Sequence, residues 1–125
     1  MQQPHPTGWL LFGLTWLQSA ASIVYAYLRL EQRSLAEMPA RAEALRMGRR
    51  ALSYTTFNLL ATVGLAFVQL VPPLVPAPYA LQWLESIWGT LRPAVGVKPT
   101  RIGIRQLIVS TIFTVLFIIA WNLAL

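Results

Sequence analysis

The chain has 125 residues, of which 56% are hydrophobic and only 11% charged, against roughly a quarter charged in ordinary soluble domains. One small domain cannot hide so many apolar side chains from water, so this composition excludes a soluble globular protein. Ten basic and four acidic residues give a net charge of +6. The basic residues are clustered between apolar runs, as in the cytoplasmic loops of membrane proteins, so we expect a lipid bilayer and no nucleic acid as a partner.

The first apolar run, residues 8–28, contains 21 uncharged residues. As a helix it would be about 30 Å long, which matches the hydrocarbon thickness of a bilayer. The alternative is a secretory signal peptide cleaved near Ala21. Such peptides begin with a positively charged segment, and this chain begins with none, so we predict a retained transmembrane helix.

Residues 29–50 form a charged segment with six arginines and three glutamates. The positive-inside rule predicts a cytoplasmic loop. Its arginines are candidate contacts for an anionic lipid or headgroup, the alternative being that they only determine topology. Pro39 suits a first helical turn, and the pattern predicts a helix from about Met38 into the next span, although Gly48 argues against continuity. The candidate lipid contacts are Arg29, Arg33, Arg46, Arg49 and Arg50.

The second apolar run, residues 51–71, is followed by a proline-rich stretch and then by an amphipathic segment that contains a glutamate. In a helix, the polar residues of this segment form one narrow stripe. A carboxylate at membrane depth costs about 2.5–3.5 kcal/mol on insertion, so Glu85 is a candidate functional residue. Alternatively, Glu85 bonds to Gln82 or to a polar residue on another helix, or reaches headgroup water, and we expect Arg92 to extend to the inner interface. The candidate intramembrane polar site is Gln82, Glu85 and Arg92.

The last apolar run, residues 106–125, follows a second basic loop, residues 93–105. Both basic loops can be cytoplasmic only if residues 74–92 span the membrane. The sequence therefore predicts a single all-α domain, a polytopic transmembrane bundle with four spans at about 8–28, 51–71, 74–92 and 106–125. Both termini would be non-cytoplasmic, and the protein would be multi-pass in a bacterial inner or plasma membrane.

Residues 79–92 make about 21 Å of helix, which is shorter than the hydrocarbon core. Part of the proline-rich stretch 71–78 would then lie at membrane depth. Irregular backbone is tolerated there only when protein covers it or when it borders a wet cleft. Short, broken helices of this kind occur at the binding sites of transporters, so the sequence gives weak support to a transport function.

The residues that usually carry chemistry are scarce. The sequence contains no cysteine and no aspartate, which excludes disulfides and thiolate chemistry. Its one histidine, His5, lies in a proline-rich tail, where a lone histidine is usually solvated. No Ser/His/Asp set, metal-ligand spacing or Gly-rich phosphate loop is present. We therefore predict no metal, no cofactor and no catalytic residue, and an enzyme is the less favoured class.

Two stretches resemble the bacterial YwiC-like membrane protein family. One is WLLFGLTWLQSAASIVYAYLRLEQR, with Val24, Tyr25 and Arg29 in the pattern V-Y-x-x-x-R, and the other is KPTRIGIRQLIVSTIFTVLFIIAW, with K-P-x-x-I-G-I at 98–104. The likeness covers the C-terminal half of such proteins, which are about twice this length. The family is an uncharacterised set of polytopic membrane proteins, so the resemblance implies a location and not a reaction.

A wider similarity is to UbiA-type intramembrane prenyltransferases, which hold a prenyl pyrophosphate through Mg²⁺ and two Asp-rich motifs. This chain has no aspartate, and Glu31 and Glu37 do not replace those motifs. Three hypotheses follow, in falling order. The first is a non-enzymatic bundle, or a half-bundle completed by a membrane-protein partner or a second copy. The second is a transporter-like protein with Glu85 on its pathway, and the third is a prenyltransferase-like fragment.

Overall fold

The structure, a computed structural model, describes residues 6–122 and consists there of α-helices without strands, which confirms the all-α prediction. Two of the helices are long and apolar enough to cross a membrane, over Gly8–Arg33 and Pro99–Asn122. His5 and the last three residues of the predicted fourth span lie outside the described residues. The helices are α1 (Pro6–Arg33), α2 (Arg41–Met47), α3 (Arg49–Phe67), α4 (Pro76–Leu91) and α5 (Pro99–Asn122).

The first helix continues beyond the predicted span end at residue 28. Its last turns carry Arg29 and Gln32, which are 6% and 0% exposed because they pack against the end of α4. The helix ends at Arg33, after which the amide of Ser34 bonds back to the carbonyl of Glu31. Contacts with another helix, and not the length of the apolar run, therefore determine where α1 ends.

The predicted continuous helix from Met38 into the second span is wrong, because the chain bends at Gly48. There α2 ends and α3 begins, with φ −85° and ψ 1° at the glycine. The backbone of Gly48 lies directly against α4, since a Cβ added there would be 2.3 Å from Oγ1 of Thr90. A larger residue could not occupy this position without displacing Thr90.

The proline-rich stretch between α3 and α4 is partly covered by the chain's own helices. Val71 and Val75 are 4% and 0% exposed and belong to an apolar cluster with Leu14, Tyr79 and Phe113. Pro76 occupies the first turn of α4, where its missing N–H group leaves no helical hydrogen bond unmade. Of the two arrangements expected from the sequence, covered backbone and a wet cleft, the structure has covered backbone at these valines.

The last helix begins at Pro99, seven residues before the predicted span. Arg101 and Arg105, which the sequence assigned to a loop, therefore lie in the first two turns of α5. The short connection before it is tied to α1, because Gly96 donates its amide to the carbonyl of Arg33 at 3.2 Å. Gly96 has φ +73°, a conformation that residues with a Cβ rarely adopt.

The four long helices form a closed bundle. The third helix packs against α1 and α4, and α5 packs against α4 and α1, so α1 and α4 face each other across the interior. These two helices run parallel, since their contacts advance together from Leu14–Tyr79 at one end to Arg29–Gly89 at the other. We call the end around Leu14 and Tyr79 the apolar end, and the end around Arg29 and Arg105 the basic end.

The bundle buries several polar side chains and exposes many large apolar ones, unlike a typical water-soluble protein. The buried residues of α3 and α4 include Thr55, Thr62, Ser86 and Thr90, each at most 1% exposed. Large apolar residues instead cover the surface of α5, where they are 45–67% exposed. Such a large contiguous apolar surface is unusual on a soluble monomer. The exposed residues of α5 are Ile104, Leu107, Ile108, Ile112, Val115, Ile118 and Ile119.

Candidate functional site

Glu85 is held in a charged network that joins three helices. Its two carboxylate oxygens accept hydrogen bonds from Nε and Nη2 of Arg105 on α5, at 2.7 and 2.9 Å. The hydroxyl of Tyr25 on α1 donates a third bond to Oε2 at 3.1 Å. The paired arrangement of two N–H groups on one carboxylate is the strong form of this interaction. The carboxylate is therefore neutralised by a different helix from its own.

The two partners of this ion pair differ in burial. The side chain of Glu85 is 10% exposed on the bundle, whereas that of Arg105 is 46% exposed. An acid left without its partner here would be nearly enclosed, while the arginine could turn outward. Removal of Arg105 should therefore cost more stability than removal of the Glu85 carboxylate.

Gly89, one turn along α4 from Glu85, allows Tyr25 to approach. A Cβ at position 89 would lie 2.2 Å from the tyrosine hydroxyl oxygen, so any other residue would displace the ring. The small residue lets α1 bring a large side chain against the α4 backbone, which is a common use of glycine between helices. The position of Tyr25, and with it the hydrogen bond to Glu85, depends on this glycine.

A layer of amides lies beside this network, towards the apolar end. Nε2 of Gln82 donates to the carbonyl of Gln18 at 3.2 Å and to Oγ of Ser22 at 3.0 Å. Oε1 of Gln82 is buried and has no partner within residues 6–122. A cavity of about 20 Å³, lined by Gln82, Tyr25 and Glu85 among others, lies here, and its volume can hold one water molecule.

Arg29 caps the C-terminal end of α4. Its Nη1 donates to the carbonyls of Gly89 and Arg92 and to Oε1 of Gln32, each at 2.9 Å. Gln32 adds a bond from Nε2 to the Gly89 carbonyl and accepts one from the amide of Ala94. The last carbonyls of a helix lack partners within the helix and carry partial negative charge, so a cation is favourable here.

Trp88 contacts both arginines of the basic end. The guanidinium carbon of Arg105 is 3.8 Å from the centroid of its ring, and that of Arg29 is 4.9 Å away. Both distances fall within the range of cation–π attraction. The indole therefore interacts with two positive charges while remaining 39% exposed.

A cleft of about 670 Å³ opens at the basic end, and the network forms part of its wall. Arg29, Arg101 and Arg105 line it together with a single carboxylate, that of Glu85. The other walls are mainly apolar and follow α5 and α4 away from the arginines. The apolar lining includes Leu81, Trp88, Ile104, Ile108, Val109 and Ile112.

The structure brings Gln82 and Glu85 of the predicted polar site together but not Arg92. The side chain of Arg92 is exposed, and within the described chain only its backbone carbonyl takes part in the cluster, through Arg29. No group of three His or Glu side chains suited to a metal occurs within residues 6–122. The arginine that pairs with Glu85 is Arg105.

The five predicted lipid-contact arginines have four different environments. Arg29 is buried as a helix cap, and Arg33 donates from Nε to the carbonyl of Val97 at 2.8 Å. The exposed Arg46 pairs with Glu43 one turn away, and this hydrogen-bonded guanidinium lowers the pKa of the Glu43 carboxyl. The remaining two, Arg49 and Arg50, are exposed.

Three residues of the network, Tyr25, Trp88 and Arg105, were not predicted from the sequence. In the sequence, Tyr25 stands out only as part of the V-Y-x-x-x-R pattern, and Arg105 falls in the predicted basic loop 93–105. One local signal was available, since Gly89 lies on the polar stripe one turn from Glu85, where a small residue indicates a close neighbour. It does not identify that neighbour.

No family model, no curated protein and no solved structure matches this chain. The resemblance to YwiC-like proteins stays a prediction from the sequence.

Proposed function

We propose that the chain is a four-span protein of a bacterial inner or plasma membrane, with α1, α3, α4 and α5 crossing the bilayer. The apolar exposed surface and polar interior suit lipid as the surrounding solvent. The third and fourth helices have 19 and 16 residues, about 28 and 24 Å. Val75, directly before α4, is 0% exposed, so protein shields the residue that extends this short helix, as a bilayer requires.

In this proposal the basic end faces the cytoplasm and both termini lie on the opposite side. Arg33, Arg92 and Arg101 then meet the inner interface together, in agreement with the positive-inside rule. The helix order requires the connections 34–40 and 92–98 to be on one side and the connection 68–75 to be on the other.

Cysteine labelling tests this topology directly because the chain has no cysteine of its own. Single variants Ser34→Cys, Lys98→Cys and Leu74→Cys place a thiol in exposed positions of the three connections. A membrane-impermeant maleimide should label only Leu74→Cys in cells with a permeable outer envelope and an intact inner membrane. Labelling of Ser34→Cys and Lys98→Cys in different compartments would contradict four spans.

We propose that the bundle is non-enzymatic and acts as a packing or assembly unit within the membrane, alone or completed by a membrane-protein partner or a second copy. The observation that supports this is the set of hydrogen bonds that Glu85 accepts from other helices. Its carboxylate receives three hydrogen bonds from two other helices, so it contributes to joining α1, α4 and α5. The exposed apolar residues of α5 that do not line the cleft remain available for a partner helix, namely Leu107, Val115, Ile118 and Ile119.

Native mass spectrometry of the particle extracted in mild detergent tests the assembly function. A second copy or a co-purified polytopic chain would support it. A lone monomer, with Glu85→Gln as stable as the wild type, would contradict it, because the carboxylate would then neither join helices nor support an assembly.

A transporter-like protein is the second candidate, favoured by the position of Glu85 between the small cavity and the larger cleft. If the acid lies on a pathway, Glu85→Gln should abolish flux into vesicles while the protein still assembles. Unchanged flux would remove this candidate. The prenyltransferase-like fragment stays the least favoured prediction, since the sequence has no aspartate for its two Asp-rich motifs.

A further inference from the structure

The cleft at the basic end carries more positive than negative charge. Three arginines and one glutamate line it, and Glu85 is already paired with Arg105. Arg29 is satisfied by carbonyls and the Gln32 amide, none of which carries a full charge. The equivalent of two positive charges is therefore left without a carboxylate at one opening.

Guanidinium donors remain available in this cleft. Arg105 uses Nε and Nη2 for Glu85, and its Nη1 has no acceptor within residues 6–122. Arg101, one turn earlier on α5, is exposed and its side chain has no hydrogen bond in the same part of the chain. Two neighbouring guanidinium groups with free N–H donors suit the oxygens of a phosphate.

The rest of the cleft suits a hydrocarbon chain. From Ile104 to Ile112 the wall runs along two turns of α5, about 12 Å, with Leu81 of α4 facing the same space. These isoleucines are 45–53% exposed, so a chain lying here would cover surface that the bundle leaves open. Charge is confined to one end of the cleft and apolar surface to the other.

We propose that this cleft binds one anionic phospholipid from the leaflet at the basic end. Its phosphate lies on Arg101 and Nη1 of Arg105, and one acyl chain lies along α5 beneath Trp88. The cleft volume of about 670 Å³ is in the range of small-molecule sites, roughly 300–1,000 Å³, and accommodates the headgroup with part of a chain. The proposal rests on the membrane placement described above.

Arg50 provides a matched comparison for Arg101. Both arginines are exposed and lie in the first turns of a helix, but Arg50 does not line the cleft. Replacing either by glutamine removes one positive charge from a similar position. General attraction of lipid to a basic surface would weaken equally in both variants, whereas a built site would respond only to Arg101.

The experiment is native mass spectrometry of the full chain released from nanodiscs of phosphatidylcholine containing phosphatidylglycerol. The wild type and Arg50→Gln should retain one phosphatidylglycerol per chain in preference to phosphatidylcholine. Arg101→Gln should lower this preference by about tenfold, as expected for loss of a charged hydrogen bond. Inorganic phosphate at millimolar concentration should not displace the lipid, since it lacks the acyl chain.

Equal retention of the two lipids by the wild type, or equal losses in Arg101→Gln and Arg50→Gln, would overturn the lipid site. Displacement by inorganic phosphate would also overturn it, because the cleft would then recognise the anion alone. Failure of the membrane placement gives a different result, since the chain would not incorporate into nanodiscs at all. Circular dichroism of each variant establishes that the helices are intact.

Discussion

Two tyrosines join α1 to α4 from opposite directions and in different chemical surroundings. At the apolar end, Tyr79 of α4 donates its hydroxyl to the Leu14 carbonyl at 2.6 Å, and its ring packs edge-on against Phe113 at 5.0 Å. At the basic end, Tyr25 of α1 donates to the carboxylate of Glu85. One connection is neutral and embedded in aromatic packing, and the other belongs to a charged network.

This difference predicts how much stability each end of the bundle loses when a side chain is substituted. Packing at the apolar end is spread over many weak contacts, so loss of a single hydroxyl should have a small effect. At the basic end each charged group is compensated by a specific partner, and removal of one leaves the other uncompensated. Substitutions near the arginines should therefore destabilise the bundle more than substitutions near the aromatic rings.

The largest effect is expected from breaking the Glu85–Arg105 pair on the arginine side. Arg105→Met leaves a carboxylate that is only 10% exposed without its cation, and we expect it to lower the free energy of unfolding by about 3 kcal/mol. Glu85→Gln should cost only about 1 kcal/mol, because the half-exposed arginine can extend to water. Unfolding by denaturing detergent measures both, and equal losses would contradict the difference in burial.

Gly89→Ala should have the second largest effect and lower the free energy of unfolding by about 2 kcal/mol, since the added methyl forces Tyr25 away from Glu85. The matched control is Gly64→Ala in α3, where a Cβ meets nothing within 4 Å. That change should be neutral or slightly stabilising, as alanine is the better helix former. The same unfolding assay measures both, and a similar loss at the two glycines would show that the tyrosine contact is not the cause.

The two tyrosines provide the next comparison. Tyr25→Phe removes a hydrogen bond to a charged acceptor and should cost about 1.5 kcal/mol. Tyr79→Phe removes a bond to a neutral carbonyl and retains the aromatic packing, so we expect about 0.6 kcal/mol, as is usual between membrane helices. Thermal unfolding in detergent would reveal the order, and a larger loss for Tyr79→Phe would reverse the comparison.

The exposed ion pair of α2 should have the smallest effect. Because Arg46 lowers the pKa of Glu43 in the folded state, the pair contributes stability above the unfolded pKa and loses it as the pH falls through the folded value. Both groups are solvated, so the contribution should be within measurement error. Glu43→Gln should leave the unfolding midpoint and its pH profile unchanged, and a marked change would indicate a partner that covers α2.

Composition and apolar runs were sufficient to predict the helical class and to single out Glu85, because a carboxylate in an apolar helix is conspicuous by itself. Gly48 also gave a correct local warning of a break. The partner of Glu85 could not be predicted in this way, since Arg105 is 20 residues away on another helix. Its place in the network depends on α5 beginning at Pro99, before the apolar run starts.

The role of Arg29 was hidden for a related reason. In the sequence it is one of six arginines in a basic segment, and no local pattern predicts that it is buried while Arg50 is exposed. Only the parallel arrangement of α1 and α4 brings it to the carbonyls at the end of α4. Tertiary contacts of this kind leave no periodic signal in the chain.

The most direct test of the central claim, that an ion pair between α4 and α5 holds the basic end together, is a double-mutant cycle. The free energy of unfolding is measured for the wild type, Glu85→Gln, Arg105→Met and the double variant. We expect the double variant to be more stable than Arg105→Met alone, with a coupling free energy above about 1 kcal/mol, since no carboxylate is then left unpaired. Additive losses would contradict it and would mean that Glu85 and Arg105 act independently.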